Sequence, residues 1–153
     1  MKKLKMFIGP PSDPSDDPEA VSSFLAEDGE GVLMGGTTSR IFEKIINDIV
    51  QIDIRNDDCG AFRIGRLGEL AVTEGSLTLG KLNEILRNGE SAEAGPEQNS
   101  VGYLKKLLAE SDLIKIYHGR AFNPVNGLDK NTVVKEFVEI LRKSGKTPEI
   151  VNF

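Results

Sequence analysis

The sequence predicts an α/β fold: a mostly parallel sheet of about five to six strands with helices on both faces, a Rossmann-like three-layer sandwich. Three observations lead there. Short apolar runs alternate along the chain with stretches whose apolar residues recur at helical spacing. Several of those runs end at glycine, as at Gly9, Gly35, Gly75 and Gly119. At 153 residues, 39% hydrophobic and 28% charged, the chain has the size and composition of one globular domain, taken as residues 1–153.

The elements follow in order. Lys3 to Ile8 reads as a first strand, ended by Gly9-Pro10-Pro11. After an acidic loop, Asp17-Pro18 is a helix start, with Ala20, Val21, Phe24 and Leu25 at helical spacing and Gly29 and Gly31 closing it. Val32 to Met34 is a short buried strand. Beyond the glycine turn, Ile41, Phe42, Ile45, Ile46 and Ile49 form one apolar helix face. Val50 to Ile54 alternates as a third strand, and residues 55–68 read as a polar excursion. Leu70-Ala71-Val72 is another strand, and Thr78 is the expected cap of a helix carrying Leu79, Leu82, Ile85 and Leu86. A polar loop over 89–99 precedes a helix that starts at Ser100 with Val101, Leu104, Leu107 and Leu108 inward. Leu113 to Tyr117 is a strand ending at His118-Gly119-Arg120. Asn131 or Thr132 opens a last helix with Val134, Phe137, Val138 and Leu141 buried, and Glu149 to Phe153 forms a terminal strand.

Charge and composition exclude some functions. The net charge of −5 argues against nucleic-acid binding, which needs a basic face for phosphates. Lys2, Lys3 and Lys5 flank the first strand and read as solubilising. The apolar run at Met6-Phe7-Ile8 is too short for a signal-peptide core, and no run reaches the roughly 20 residues of a membrane helix, so the expected location is the cytoplasm. The single cysteine, Cys59, makes neither an internal disulfide nor a zinc site by itself. No metal site and no cofactor are expected.

In a parallel sheet with right-handed crossovers, ligands bind beyond the carboxyl ends of the strands. That rule gathers four loops: Gly9-Pro10, Gly35 to Ser39, Thr73 to Gly75, and His118 to Arg120. The turn Gly35-Gly36-Thr37-Thr38-Ser39 offers backbone N–H groups and hydroxyls to a phosphate or carboxylate; its structural alternative is a tight strand-to-helix turn with a hydroxyl cap. It lacks the Lys of a Walker loop and the third glycine of the dinucleotide fingerprint. Glu74, before Gly75, is a candidate hydroxyl-binding group, general base or turn cap. Arg120 is a candidate grip on an anion, and Asn123 a candidate amide in the crevice. His118, the sole histidine, is the alternative acid/base, with Glu74, if the chain is an enzyme. No Gly-x-Ser-x-Gly elbow is present.

Four segments in order, Ile8-Gly9-Pro10-Pro11, Gly35 to Ser39, Val72 to Leu79 and Phe122-Asn123-Pro124, resemble the region C-terminal to the catalytic domain in bacterial stage II sporulation protein E-like serine/threonine phosphatases. The resemblance spans about residues 4–153. Met34 stands where that family often has cysteine, and Asn56 to Phe62 replaces a proline-rich segment. The phosphatases resembled depend on manganese or magnesium, but Asp57-Asp58 lies outside their metal-binding context, so no catalytic or metal residue carries over. What the resemblance implies is an accessory domain, either a stand-alone relative or one part of a longer chain, whose partners would include a phosphatase domain or another protein.

Three functions remain open at this point. The first is a non-catalytic regulatory domain that binds a small anionic ligand through Gly35, Gly36, Thr37, Thr38 and Ser39, with Glu74, Gly75, Arg120 and Asn123 around it. The second is a small enzyme acting on a phosphorylated or carboxylated metabolite. The third is a protein-interaction module whose glycine turn is purely structural.

Overall fold

The computed structural model describes residues 2–52, 64–88, 100–121 and 129–153; Asp53, Cys59 and Asn123 lie outside them. The strands are β1 (Lys3–Ile8), β2 (Glu30–Met34), β3 (Gln51–Ile52), β4 (Gly65–Leu67), β5 (Leu70–Thr73), β6 (Leu113–His118) and β7 (Glu149–Asn152). The helices are α1 (Asp17–Ala26), α2 (Gly36–Ile46), α3 (Ser76–Asn88), α4 (Ser100–Glu110) and α5 (Lys130–Lys143). All the strands join one sheet in the order β3-β4-β5-β2-β1-β6-β7. The run β5-β2-β1-β6-β7 is parallel throughout, whereas β4 and β3 are antiparallel additions at one edge.

Both faces of the sheet are covered. Successive residues of β1 point to opposite sides, so Met6 and Ile8 join one core and Phe7 the other. The larger core sits under α3, α4 and α5, where Leu79, Leu82, Leu104, Val134 and Phe137 pack on Leu4, Met6, Val32 and Ile116. The smaller one sits under α1 and α2 and is aromatic. Phe7 meets Phe24 and Phe42 edge-on at 5.5 and 5.1 Å and lies parallel to Tyr117 at 5.9 Å. The predicted α/β sandwich is therefore the fold, and no described helix is long and apolar enough to cross a membrane.

Several local expectations are corrected. The polar excursion contains β4, a three-residue strand paired with β5 through Gly68-Glu69. Gly68 has φ +61° and Glu69 a negative φ, the pattern of a two-residue hairpin with glycine first. Gly31 lies inside β2 rather than after α1, because a side chain there would strike Leu70. On α2 only Phe42 of the expected apolar face is fully buried; Ile45, Ile46 and Ile49 are 41%, 37% and 68% exposed, and Asn47 in the left-handed conformation ends the helix before Ile49. The helix α5 starts at Lys130, earlier than expected, because Asp129 accepts from the Asn131 N–H and the Thr132 hydroxyl as its cap.

Lys5 is not a solubilising residue. It is 5% exposed, and its Nζ donates to the Phe24 and Glu27 carbonyls at 2.8 and 2.6 Å while lying 4.7 Å from the Phe24 ring centroid. It thus closes the carboxyl end of α1 from the sheet face beneath that helix. Burial, only partly opposed by Glu27 and Asp28, holds this amine below the usual lysine range.

Candidate functional site

From β1 the chain adds β2 and then β5 on one side, and afterwards β6 and β7 on the other. The order of addition reverses between β1 and β6, and the carboxyl ends there define the crevice where such folds bind ligands. The four predicted loops do meet along this edge. Gly35 N–H donates to Thr73 O at 3.1 Å, Gly9 N–H to Met34 O at 3.4 Å, and Gly119 N–H to Ile8 O at 2.9 Å. Four adjacent strands, β5, β2, β1 and β6, thus leave the sheet within two residues through Gly75, Gly35, Gly9 and Gly119.

Gly75 and Gly119 are needed for space, and Gly9 and Gly35 for their positive φ of 80° and 117°. A Cβ on Gly75 would stand 2.9 Å from Gly35 Cα, and one on Gly119 would collide with the carbonyls of Gly9 and Pro10. A Cβ on Gly9 would lie 2.7 Å from Cδ of Lys130. The floor of the crevice is therefore backbone.

The Gly35 turn is built by conformation as well as space: Gly35 has φ 117° and ψ 141°, a backbone that L side chains rarely adopt. The helix α2 begins at the next residue without a side-chain cap. Among the described residues, no partner meets the N–H groups of Gly36, Thr37 or Thr38. They are the orphan donors of a helix start, at the positive end of its dipole. Gly36 faces open space, with no atom within 4 Å of where a Cβ would stand. Thr38 is 1% exposed, and its Oγ1 has no partner among the described residues; it lies 3.3 Å from the position a Gly35 Cβ would take, against the same turn. Ser39 is spent internally: its N–H donates to Gly35 O and its hydroxyl to Gly36 O, both at 3.0 Å.

The remaining candidates divide. Glu74 is exposed, and its carboxylate accepts the Thr78 N–H at 3.2 Å, so Glu74, not Thr78, caps α3. Arg120 is exposed at the end of β6; its backbone N–H joins Phe153 O at 2.9 Å, and no acid pairs with its guanidinium among the described residues. His118 is 8% exposed and its Nε2 lies 3.0 Å from Asn131 Oδ1. Burial, with the Lys130 and Arg120 charges assisting, depresses its pKa below the usual histidine value. A neutral imidazole held by an amide on α5 locks β6 to that helix and is poorly offered to a substrate.

Sequence reasoning missed Lys130. The first residue of α5, it reaches back over Gly9, and its Nζ donates to the carbonyls of Gly119 and Ala121 at 2.6 and 3.1 Å. No carboxylate pairs with it among the described residues; Asp129, its nearest acid in electrostatic effect, is occupied as the α5 cap. Burial lowers its pKa to about 8. One signal was readable: a lysine directly after the capping Asp129 sits at the positive end of a helix, where cations are disfavoured. Thr73, placed by the sequence in the crevice loop Thr73 to Gly75, also has its Oγ1 buried without a partner among the described residues.

Comparison with protein-family models, with curated proteins and with solved structures finds no match to this chain. The site must be read from its own chemistry.

Proposed function

We propose that the chain is a non-catalytic, ligand-binding regulatory domain that holds the phosphate or carboxylate of a small molecule at the start of α2. The supporting observation is the set of N–H groups on Gly36, Thr37 and Thr38, without partners among the described residues, at a turn where the Gly36 Cβ position is open. The Thr38 hydroxyl, enclosed against the same turn, is without a partner among the described residues. Against an enzyme stand the functions already taken by the titratable candidates: Glu74 caps α3 and His118 is buried on Asn131. In this reading the domain is an accessory one, of the kind appended to stage II sporulation protein E-like phosphatases, and the ligand state of the α2 turn is what a partner domain senses.

The test is titration with inorganic phosphate, followed by backbone amide NMR. The Gly36, Thr37 and Thr38 resonances are expected to move together and saturate. Shifts spread evenly over surface amides would defeat the reading.

A second reading, a protein-interaction module, draws on a different edge. Leu25, Ile46, Leu67 and Leu70 line a cleft of about 530 Å³ with Lys5 and Glu30, at the amino ends of β2 and β5. Exposed Ile45 and Ile49 lie in the same stretch of chain as Ile46. Ile46→Glu and Ile49→Glu together would abolish partner capture without changing phosphate binding if this face docks a protein.

A further inference from the structure

Lys130 is held where an ammonium is least comfortable. It is partly buried, it occupies the first position of α5 against the helix dipole, and no acid neutralises it among the described residues. Two carbonyls, of Gly119 and Ala121, take two of its three N–H donors. The third has no partner among the described residues. The ammonium also sits at the point where the strand order reverses, above Gly9, with Arg120, unpaired among the described residues, on the neighbouring strand end. In a chain of net charge −5, this corner holds two cations that form no ion pair with an acid among the described residues.

We propose that Lys130 forms a second anion subsite, and that the ligand is therefore a small molecule with two anionic groups: one on the α2 amides, the other on the Lys130 ammonium with Arg120 at the rim. This rests on the α2 turn being the first subsite. The two subsites lie one to two strands apart along the edge, from β2 to the β1–β6 gap, or about 5–10 Å at ordinary strand spacing. That span suits a compact bisphosphate or a phosphorylated carboxylic acid.

The experiment compares ethylphosphonate with α,ω-alkylene bisphosphonates of increasing length by calorimetry, on the wild type and on Lys130→Met. One bisphosphonate is expected to bind about tenfold or more tighter than ethylphosphonate, the worth of one added charge-assisted contact and well beyond the statistical advantage of two equivalent ends. Lys130→Met is expected to remove that gain while binding ethylphosphonate as the wild type does, which also reports that the variant is folded. Lys130→Arg should restore part of the gain. If ethylphosphonate binds but no bisphosphonate binds tighter, or if the gain survives in Lys130→Met, the second subsite is overturned and the α2 reading stands. If ethylphosphonate does not bind the wild type at all, both fall.

Discussion

Replacing Gly36 by proline should make the domain more stable and a weaker binder at once. Proline is favoured at the first helical position, where its missing N–H costs no internal bond, and Gly36 holds that position in α2. The preceding residue must be extended, and Gly35 has ψ 141°. No atom lies within 4 Å of the Gly36 Cβ position, so the ring has room. Removing glycine's freedom from the unfolded chain should then add about 0.4–1 kcal/mol of stability. The same substitution deletes one of the donors that face the ligand. A hydrogen bond to a charged group is worth about 1.5–3 kcal/mol, so affinity should fall roughly ten- to a hundredfold. Thermal unfolding with and without phosphate reads both effects. At a phosphate concentration about 100 times the wild-type dissociation constant, the wild type gains ~2.7 kcal/mol and the variant only ~0.4–1.4 kcal/mol. A variant that binds phosphate like the wild type would refute the role of the α2 amides. One that loses more than about 1 kcal/mol of stability would refute the backbone argument on which the substitution rests.

Two other perturbations test the environment of the buried amines. The Lys130 pKa falls from 10.5 to about 8 on folding, so between those values the unfolded chain holds more protons and stability rises with pH. Compared with Lys130→Met, the wild type should gain about 1–2 kcal/mol from pH 7.5 to 10.5 in urea unfolding, after allowance for solvent screening of a partly exposed group; a pH-independent difference would mean the amine is not desolvated. Lys5→Met should cost about 1–3 kcal/mol by removing the buried donor to the Phe24 and Glu27 carbonyls, of which Phe24 keeps only the Glu27 N–H. Hydrogen exchange should speed at the carboxyl end of α1, and unchanged exchange there would return Lys5 to the solubilising role its position in the sequence suggests.

How far the sequence speaks for the structure depends on the range of the interaction. The parallel core was legible because each of its strands is an apolar run bounded by glycine or proline, and the helices over it repeat at helical spacing. The hairpin partner β4 was not, since Gly65-Arg66-Leu67 is too short to show a period and its pairing with β5 is set by the turn at Gly68. Lys5 was misread because only the folded sheet brings the end of α1 over it; locally it is one of three lysines at a chain end. The site was half legible. The Gly-Gly-Thr-Thr-Ser turn announces a helix start after a strand, but whether Ser39 or Thr38 keeps its hydroxyl free depends on a hydrogen bond to Gly36 that spacing does not reveal. Lys130 required knowledge that the loop after β6 returns its helix over Gly9, a tertiary fact.

The backbone floor of the crevice also limits how this domain can change. A residue that lines a pocket with its side chain can be exchanged to admit a new ligand. Gly75 and Gly119 cannot be exchanged in that way, because the space a side chain would fill is already taken by the neighbouring strand exit, and Gly35 cannot because its φ of 117° disfavours any side chain. Substitutions that redirect specificity are confined to the rim, at Thr37, Glu74, Arg120 and the loops beyond them. A lineage of such domains would keep one unvarying cradle and diverge at its border, so relatives that bind different molecules would share their glycines and little else around the site.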